Sequence, residues 1–266
     1  MERRVVITGM GVYSCIGRNL DEVRDSLYNG RSGIGIDPER KQLGFFSSLT
    51  GIVERPNMKE ILDRKRRRGL AEQGEYAYMS TLEAFRNARI DDQFLSENEV
   101  GILFGNDSSA KPVITAVDTI REKKSTVLVG AESVFQSMNS TVTMNLSVIF
   151  HLKGINFTVS GACASSSHAI GIGYLLIKQG LQNCILCGGA QEQKTDQESS
   201  SSQLDTPNFI ETAFVGDGFT IVIKSRAAVA SCFVISYHFS CLHSNERRLW
   251  KIIYQSCWTW ETPLPK

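Results

Sequence analysis

The sequence predicts an α/β fold built on a predominantly parallel sheet, and three observations carry that reading. Short, apolar, β-branched runs alternate with longer stretches of helical periodicity from residue 3 to 190. Glycine-bearing or polar joints separate many of these runs. The most legible unit, Gly154 to Glu192, reads as strand, sharp turn, helix and second strand.

In chain order, Arg3 to Thr8 is a strand that Gly9-Met10-Gly11 turns out of. Asn19 or Asp21 caps a helix that runs to Tyr28 and stops at Gly30. Tyr76 to Ala88 is an amphipathic helix, and Asp91 to Asn98 a polar link. Val100 to Phe104 is a strand ending at Gly105, followed by a loop at Asp107 to Ala110 and helices over Val113 to Arg121 and Met138 to Phe150. Ile155 to Val159 has the composition of a buried strand. Small residues turn the chain at Ser160, Gly161 and Ala162, with Cys163 at the corner. Ala169, Ile170, Ile172, Leu175, Leu176 and Ile177 then recur at helical spacing up to Gly180. Cys184 to Leu186 is a second buried strand, closed by Gly188 and Gly189.

Composition narrows the function. A formal net charge of +1 offers no field for nucleic acid or a membrane surface. The N-terminal apolar run is too short for a signal peptide, and no stretch reaches the length of a membrane span. Seven cysteines without an export signal are expected to be reduced thiols, which places the chain in a cytoplasm. Gly9, Gly11 and Gly17 imitate part of a dinucleotide fingerprint, but Ser14 stands where the third glycine belongs. Cys184 and Cys187 have C-x-x-C spacing without a second ligand pair, and Cys232, Cys241, His238 and His243 fit no standard zinc spacing. Neither a metal nor a cofactor is called for.

Two features carry chemistry. A cysteine at a strand-to-helix corner lies where the first helical N–H groups lack partners and the helix dipole is positive, and both effects favour a thiolate. Ala162, Ala164, Ser165 and Ser166 around Cys163 are small enough to admit a bulky acyl group. A buried structural cysteine is the competing reading of the same geometry. The run Ile61 to Arg68, I-L-D-R-K-R-R-R, is the densest basic stretch; Arg64, Arg67 and Arg68 share a helical face, with Lys65 beside Arg68. It reads either as a solvated surface or as a docking patch for an acidic partner.

The wording around the corner resembles the active-site segment of β-ketoacyl-acyl-carrier-protein synthases of the elongating type. The family's A-C-x-x-x-x-H-x-I-G run matches Ala162, Cys163, His168, Ile170 and Gly171, and its G-G-A-x-E matches Gly188, Gly189, Ala190 and Glu192. Its V-x-x-T-G-x-G opening and its G-x-S-G-I match at the N-terminus, the latter as Gly30, Ser32, Gly33 and Ile34. The resemblance implies the thiolase-like fold, with two similar α/β halves, and an acyltransferase of fatty acid synthesis with Cys163 as nucleophile. It implies acyl- and malonyl-loaded carrier proteins as partners, docking on Arg64, Lys65 and Arg68. It further implies a homodimer paired through residues 155–159. His168, about half a turn round from Cys163, is expected to be a structural hydrogen-bonding residue rather than a base.

The resemblance is strong to about Glu192, so residues 1–192 are expected to form the N-terminal synthase domain and 193–266 a divergent tail. Gln193 to Gln203 is polar and serine-rich, and Phe214 to Ile223 reads as a turn plus strand that echoes a family hairpin. The pattern is lost after about residue 225. From Ser231 onward the composition changes, and all three tryptophans lie there. The tail is read as a divergent second half, a short variant or translation out of the ancestral frame, and the abrupt change favours the last. The family's second-half H-G-T, G-H and G-F-G-G-T-N motifs are absent from the sequence. Acyl transfer is therefore the expected chemistry, condensation is in question, and a non-catalytic fragment or partner subunit is the alternative.

Overall fold

Side chains that alternate along three neighbouring strands, apolar on both faces, build the centre of the molecule. A computed structural model of the chain describes residues 3–45, 47–192 and 217–226. Its elements run β1 (Arg4–Tyr13), α1 (Leu20–Asn29), β2 (Ile34–Ile36), α2 (Pro38–Leu43), β3 (Leu49–Gly51), α3 (Met58–Ile61), α4 (Arg64–Arg68) and α5 (Glu72–Ala88). They continue through α6 (Asp92–Glu97), β4 (Val100–Gly105), α7 (Ala110–Lys123), α8 (Glu132–Gln136), α9 (Thr141–Ile149), β5 (Asn156–Val159), α10 (Ser165–Lys178), β6 (Cys184–Gln191) and β7 (Asp217–Arg226).

The main sheet has the order β1-β7-β6-β4-β5, and β2 and β3 form a separate hairpin. Strand β4 pairs in parallel with β5 and β6, whereas β7 is antiparallel to both β1 and β6. The sheet is thus mixed, not predominantly parallel. The alternation of strands and helices up to residue 190 could not show that a strand from 217–226 inserts between the first and the sixth. The strand expected within Phe214 to Ile223 is this β7.

Period-two alternation divides the core. Ile102, Phe104, Cys184, Leu186 and Val222 face one way, in a cluster with Ala77, Ala84 and Phe85 of α5 and Val142 and Leu146 of α9. Leu103, Ile185, Cys187, Ile221 and Ile223 face the other way, with Ala169 and Ile177 of α10. Phe150 joins the α5 and α9 layers, stacking on Tyr78 at 5.3 Å and meeting Phe85 edge-on at 5.1 Å.

Several boundaries differ from the sequence reading for identifiable reasons. Gly9 and Gly11 lie inside β1 rather than in a turn, because a Cβ at either would overlap the carbonyl oxygens of Ala84 or Ser80 in α5. These glycines permit close helix–sheet packing, which removes the nucleotide-loop reading. Asp91 to Asn98 is no plain link: the Asp91 carboxylate accepts from the Phe94 N–H at 2.8 Å and starts α6. Strand β6 runs through Gly188 and Gly189 to Gln191. Strand β5 is not buried but lies at the sheet edge, with Asn156 and Phe157 exposed. The caps agree with the sequence reading: Asn19 caps α1, Gly30 ends it in the left-handed conformation (φ 63°), and Gly180 (φ 79°) follows α10. The serine-rich run and the sequence after residue 226 lie outside the described residues.

Candidate active site at the Cys163 corner

The corner forms where β5 ends beside the end of β4. Two strand glycines set its depth. A Cβ on Gly105 of β4 would overlap the backbone of Ser165 and Ser166, and one on Gly189 of β6 would overlap the Ser166 Oγ. The first turn of α10 therefore rests directly on the sheet. A helical glycine completes the fit, since a Cβ on Gly173 would overlap the Cys187 Sγ.

Between β5 and α10 the chain makes one 3₁₀ turn over Ala162–Ala164, with Cys163 exposed at its centre. Ala162 has φ 49°, the left-handed region, which costs a residue with a Cβ roughly 1–2 kcal/mol. The surrounding bonds hold it there. Its N–H donates to Asp107 Oδ1 at 3.0 Å, and its carbonyl accepts from the Ser165 hydroxyl at 2.7 Å. The Ser165 Oγ also accepts from the Gly161 N–H at 2.8 Å, and the Ser160 hydroxyl donates to Asp107 Oδ1 at 2.5 Å.

The loop carrying Asp107 is itself tied down. The Asn106 N–H donates to the Val159 carbonyl at 3.1 Å, and its side-chain amide donates to the Asn139 carbonyl at 2.9 Å. Asn139 returns a bond to the Asp107 carbonyl at 3.0 Å, and Gln73 donates to the Ser109 hydroxyl at 2.6 Å. Glu192, fully buried at the foot of β6, accepts from the N–H groups of Ala110 and Lys111 at 2.6 and 3.0 Å. A carboxylate there satisfies two orphan donors and complements the helix dipole of α7. Nearby, buried Glu72 meets Lys111 at 2.7 Å, and buried Glu75 takes a two-pronged contact from Arg55 at 2.5 and 2.9 Å.

His168 lies one helical turn along from the corner. It is exposed and packs over Gly161, where a Cβ would stand 3.0 Å from its Nδ1. It has no hydrogen-bond partner among the described residues, so the expected structural bond is replaced by this ring-on-glycine contact.

Of the basic residues, Arg64, Lys65 and Arg68 are exposed on α4, which Asp63 caps at the Arg66 N–H. Arg68 pairs with Glu132 of α8. Arg67 turns inward, its Nε buried without a partner among the described residues, so it leaves the expected common face. The patch connects to the corner through α9. Asn145 donates to the Gly69 carbonyl at 3.0 Å, and Thr143 shares a hydrogen bond of 2.8 Å with Thr158 of β5.

The remaining described thiols are built differently. Cys184 and Cys187 face opposite sides of β6, and burial pushes the Cys184 thiol up to about 11 and the Cys187 thiol further. Both are core residues, and their C-x-x-C spacing follows from the strand. Among the described residues no group of three His, Cys, Asp or Glu could hold a metal ion, and no helix is long and apolar enough to cross a membrane.

Sequence reasoning placed Asp107 in a loop and Ser165 among the small neighbours of Cys163 but missed their bonds to the turn and the contact of Gly189 with Ser166. The signal for Asp107 was its place just after the carboxyl end of a strand, where loops converge in parallel sheets. Locating it required knowing that β4 and β5 are neighbours.

Comparison with known proteins gives consistent results. The family model described as beta-ketoacyl synthase, N-terminal domain, matches residues 2–208. The chain is 36% identical over 192 residues to 3-oxoacyl-[acyl-carrier-protein] synthase 1 of Buchnera aphidicola subsp. Baizongia pistaciae, covering 71% of this chain and 47% of the relative. It is 36% identical over 191 residues to the enzyme of the same name from Haemophilus influenzae, with the same coverage of each chain. A beta-ketoacyl synthase structure from Burkholderia phymatum STM815 superimposes with a TM-score of 0.71 at 26% identity, covering 85% of this chain and 60% of that one. The fold is thiolase-like, and the chain spans about half the length of the curated relatives it matches.

Proposed function

Because the chain belongs to the beta-ketoacyl synthase N-terminal domain family, we propose that Cys163 is the nucleophile of an acyl transfer from a carrier protein. The observation that carries this reading is the exposed thiol at the centre of a strand-to-helix turn that is held by four hydrogen bonds and by the close seating of Ser165 and Ser166 on Gly105 and Gly189. The Cys163 thiolate attacks the acyl thioester, the bond to the carrier's sulfur breaks, the carrier leaves as a thiolate that takes up the proton Cys163 released, and the acyl group remains on Cys163. Decarboxylative condensation with malonyl carrier protein, the reaction of fatty acid synthesis, would need further groups to stabilise the developing oxyanion. Among the described residues the histidines are His151 and His168, neither in an H-G-T or G-H context.

Carrier docking falls on Arg64 and Lys65, with Arg68 weakened by its pairing to Glu132. The edge strand β5, with an exposed Phe157, is the surface for pairing to a second copy. Cysteines kept as thiols at Cys163, Cys184 and Cys187 suit a reducing cytoplasm. Residues 1–192, completed by β7, form the synthase unit in this reading.

The alternative is a fragment or partner subunit that binds carrier without catalysis, and the H-G-T, G-H and G-F-G-G-T-N motifs that the sequence lacks are the observation on its side. Turnover separates the two. Purified chain given acyl- and malonyl-carrier protein should release a β-ketoacyl product, detected by mass, if condensation is complete. Acylated protein without product supports acyl transfer alone, and carrier binding with neither leaves only the fragment reading.

A further inference from the structure

We infer that Asp107 is a positioning residue for the reaction at Cys163, holding the backbone immediately before the nucleophile in its left-handed turn. The inference rests on the reading of Cys163 as nucleophile and adds to it a residue outside the Cys163 segment. A single carboxylate oxygen, Oδ1, receives both the Ala162 N–H at 3.0 Å and the Ser160 hydroxyl at 2.5 Å. These two bonds bracket Gly161, the residue at which the strand direction breaks.

Ala162 lacks the conformational freedom of glycine at φ 49°, so the turn must be imposed from outside. Ser165 supports it from the helix side through the Gly161 N–H and the Ala162 carbonyl. Asp107 supports it from a different strand loop. That loop is fixed in turn by Asn106 bonding to Val159 and by Asn139 bonding to the Asp107 carbonyl. The orientation of Cys163 is thereby referenced to β4 as well as to its own strand and helix. A nucleophile depends on such references, because small misplacements of a reacting atom cost large factors in rate. Asp107 is exposed, and its Oδ1 bonds to Ser160 and Ala162 tie it to the corner.

The test uses the full chain with Asp107→Ala, Asp107→Asn and Ser160→Ala, measured in single-turnover acyl transfer from an acyl carrier protein. D107A should slow transfer at saturating carrier about 10-fold or more, with the half-saturating carrier concentration unchanged. D107N keeps the acceptor oxygen and should recover most of that loss, and S160A should lose less than D107A. Iodoacetamide labelling mapped by peptide mass serves as the control for folding, since Cys184 and Cys187 should stay protected in every variant. Amide hydrogen exchange across residues 160–165 gives a readout that does not depend on catalysis. It should quicken about 10-fold at Ala162 in D107A and stay slow in D107N.

Full-rate transfer with unchanged exchange in D107A overturns the inference, as does a D107N variant as slow as D107A. Slowed transfer accompanied by labelling of Cys184 and Cys187 overturns it too, since the loss then comes from unfolding. If the wild-type chain itself transfers no acyl group, the nucleophile reading fails, and the exchange arm still decides whether Asp107 holds the corner.

Discussion

The Ser166 hydroxyl in the first turn of α10 fills the space that a Cβ on Gly189 of β6 would occupy. Gly189→Ala must therefore push the start of α10 off the sheet. The expected loss is about 1–3 kcal/mol, the usual cost of overpacking, read from urea unfolding midpoints. Acylation of Cys163 should slow in the same variant. Wild-type stability and rate in G189A would mean that the helix start is not seated as the structure shows.

Glu192 holds the first turn of α7 through the N–H groups of Ala110 and Lys111. Glu192→Ala leaves those donors short of an acceptor, and a loss of about 1–3 kcal/mol is expected. Glu192→Gln retains an acceptor and should lose less. Urea denaturation of the two variants beside wild type measures the difference.

Buried thiols make stability fall at alkaline pH. In the unfolded chain Cys184 ionises near about 8.5, whereas in the fold burial raises its pKa to about 11. Between these values the unfolded state holds fewer protons than the folded one, so stability falls as pH rises, by up to about 1.4 kcal/mol per unit for the one thiol. Below about pH 8 the contribution is fully present. Cys184→Ala should shrink the difference between unfolding free energies measured at about pH 8 and about pH 10. An unchanged difference would show that this thiol does not carry the effect.

Phe157 stands 53% exposed on the edge strand β5, where a second copy could add its own strand. Phe157→Asp is expected to convert a dimer into a monomer in light scattering coupled to size-exclusion chromatography. A wild-type chain that is monomeric at every concentration, or a dimer indifferent to F157D, would contradict pairing through this edge.

The local elements of the site were legible because they depend on neighbours in sequence. The β-branched run before Ser160, the small residues around Cys163 and the helical spacing from Ala169 to Ile177 identify the strand, corner and helix. The family resemblance supplied a physical prompt at Gly189 and Glu192, but not their tasks, which involve Ser166 and α7. Long-range features were not legible. The insertion of β7 between β1 and β6 depends on residues far from both, and the service of Asp107 to Ala162 depends on two strands being neighbours. Gly9 and Gly11 misled because a glycine required by a packed helix and one required by a turn look alike in sequence.

The central claim is that Cys163 takes the acyl group. The most direct measurement is peptide-mapped mass analysis of the full chain after incubation with a medium-chain acyl carrier protein, beside Cys163→Ala. The account expects one acyl adduct, on the peptide carrying Cys163, and none on C163A. An adduct that persists in C163A, or soluble folded protein that takes up no acyl group, would contradict it.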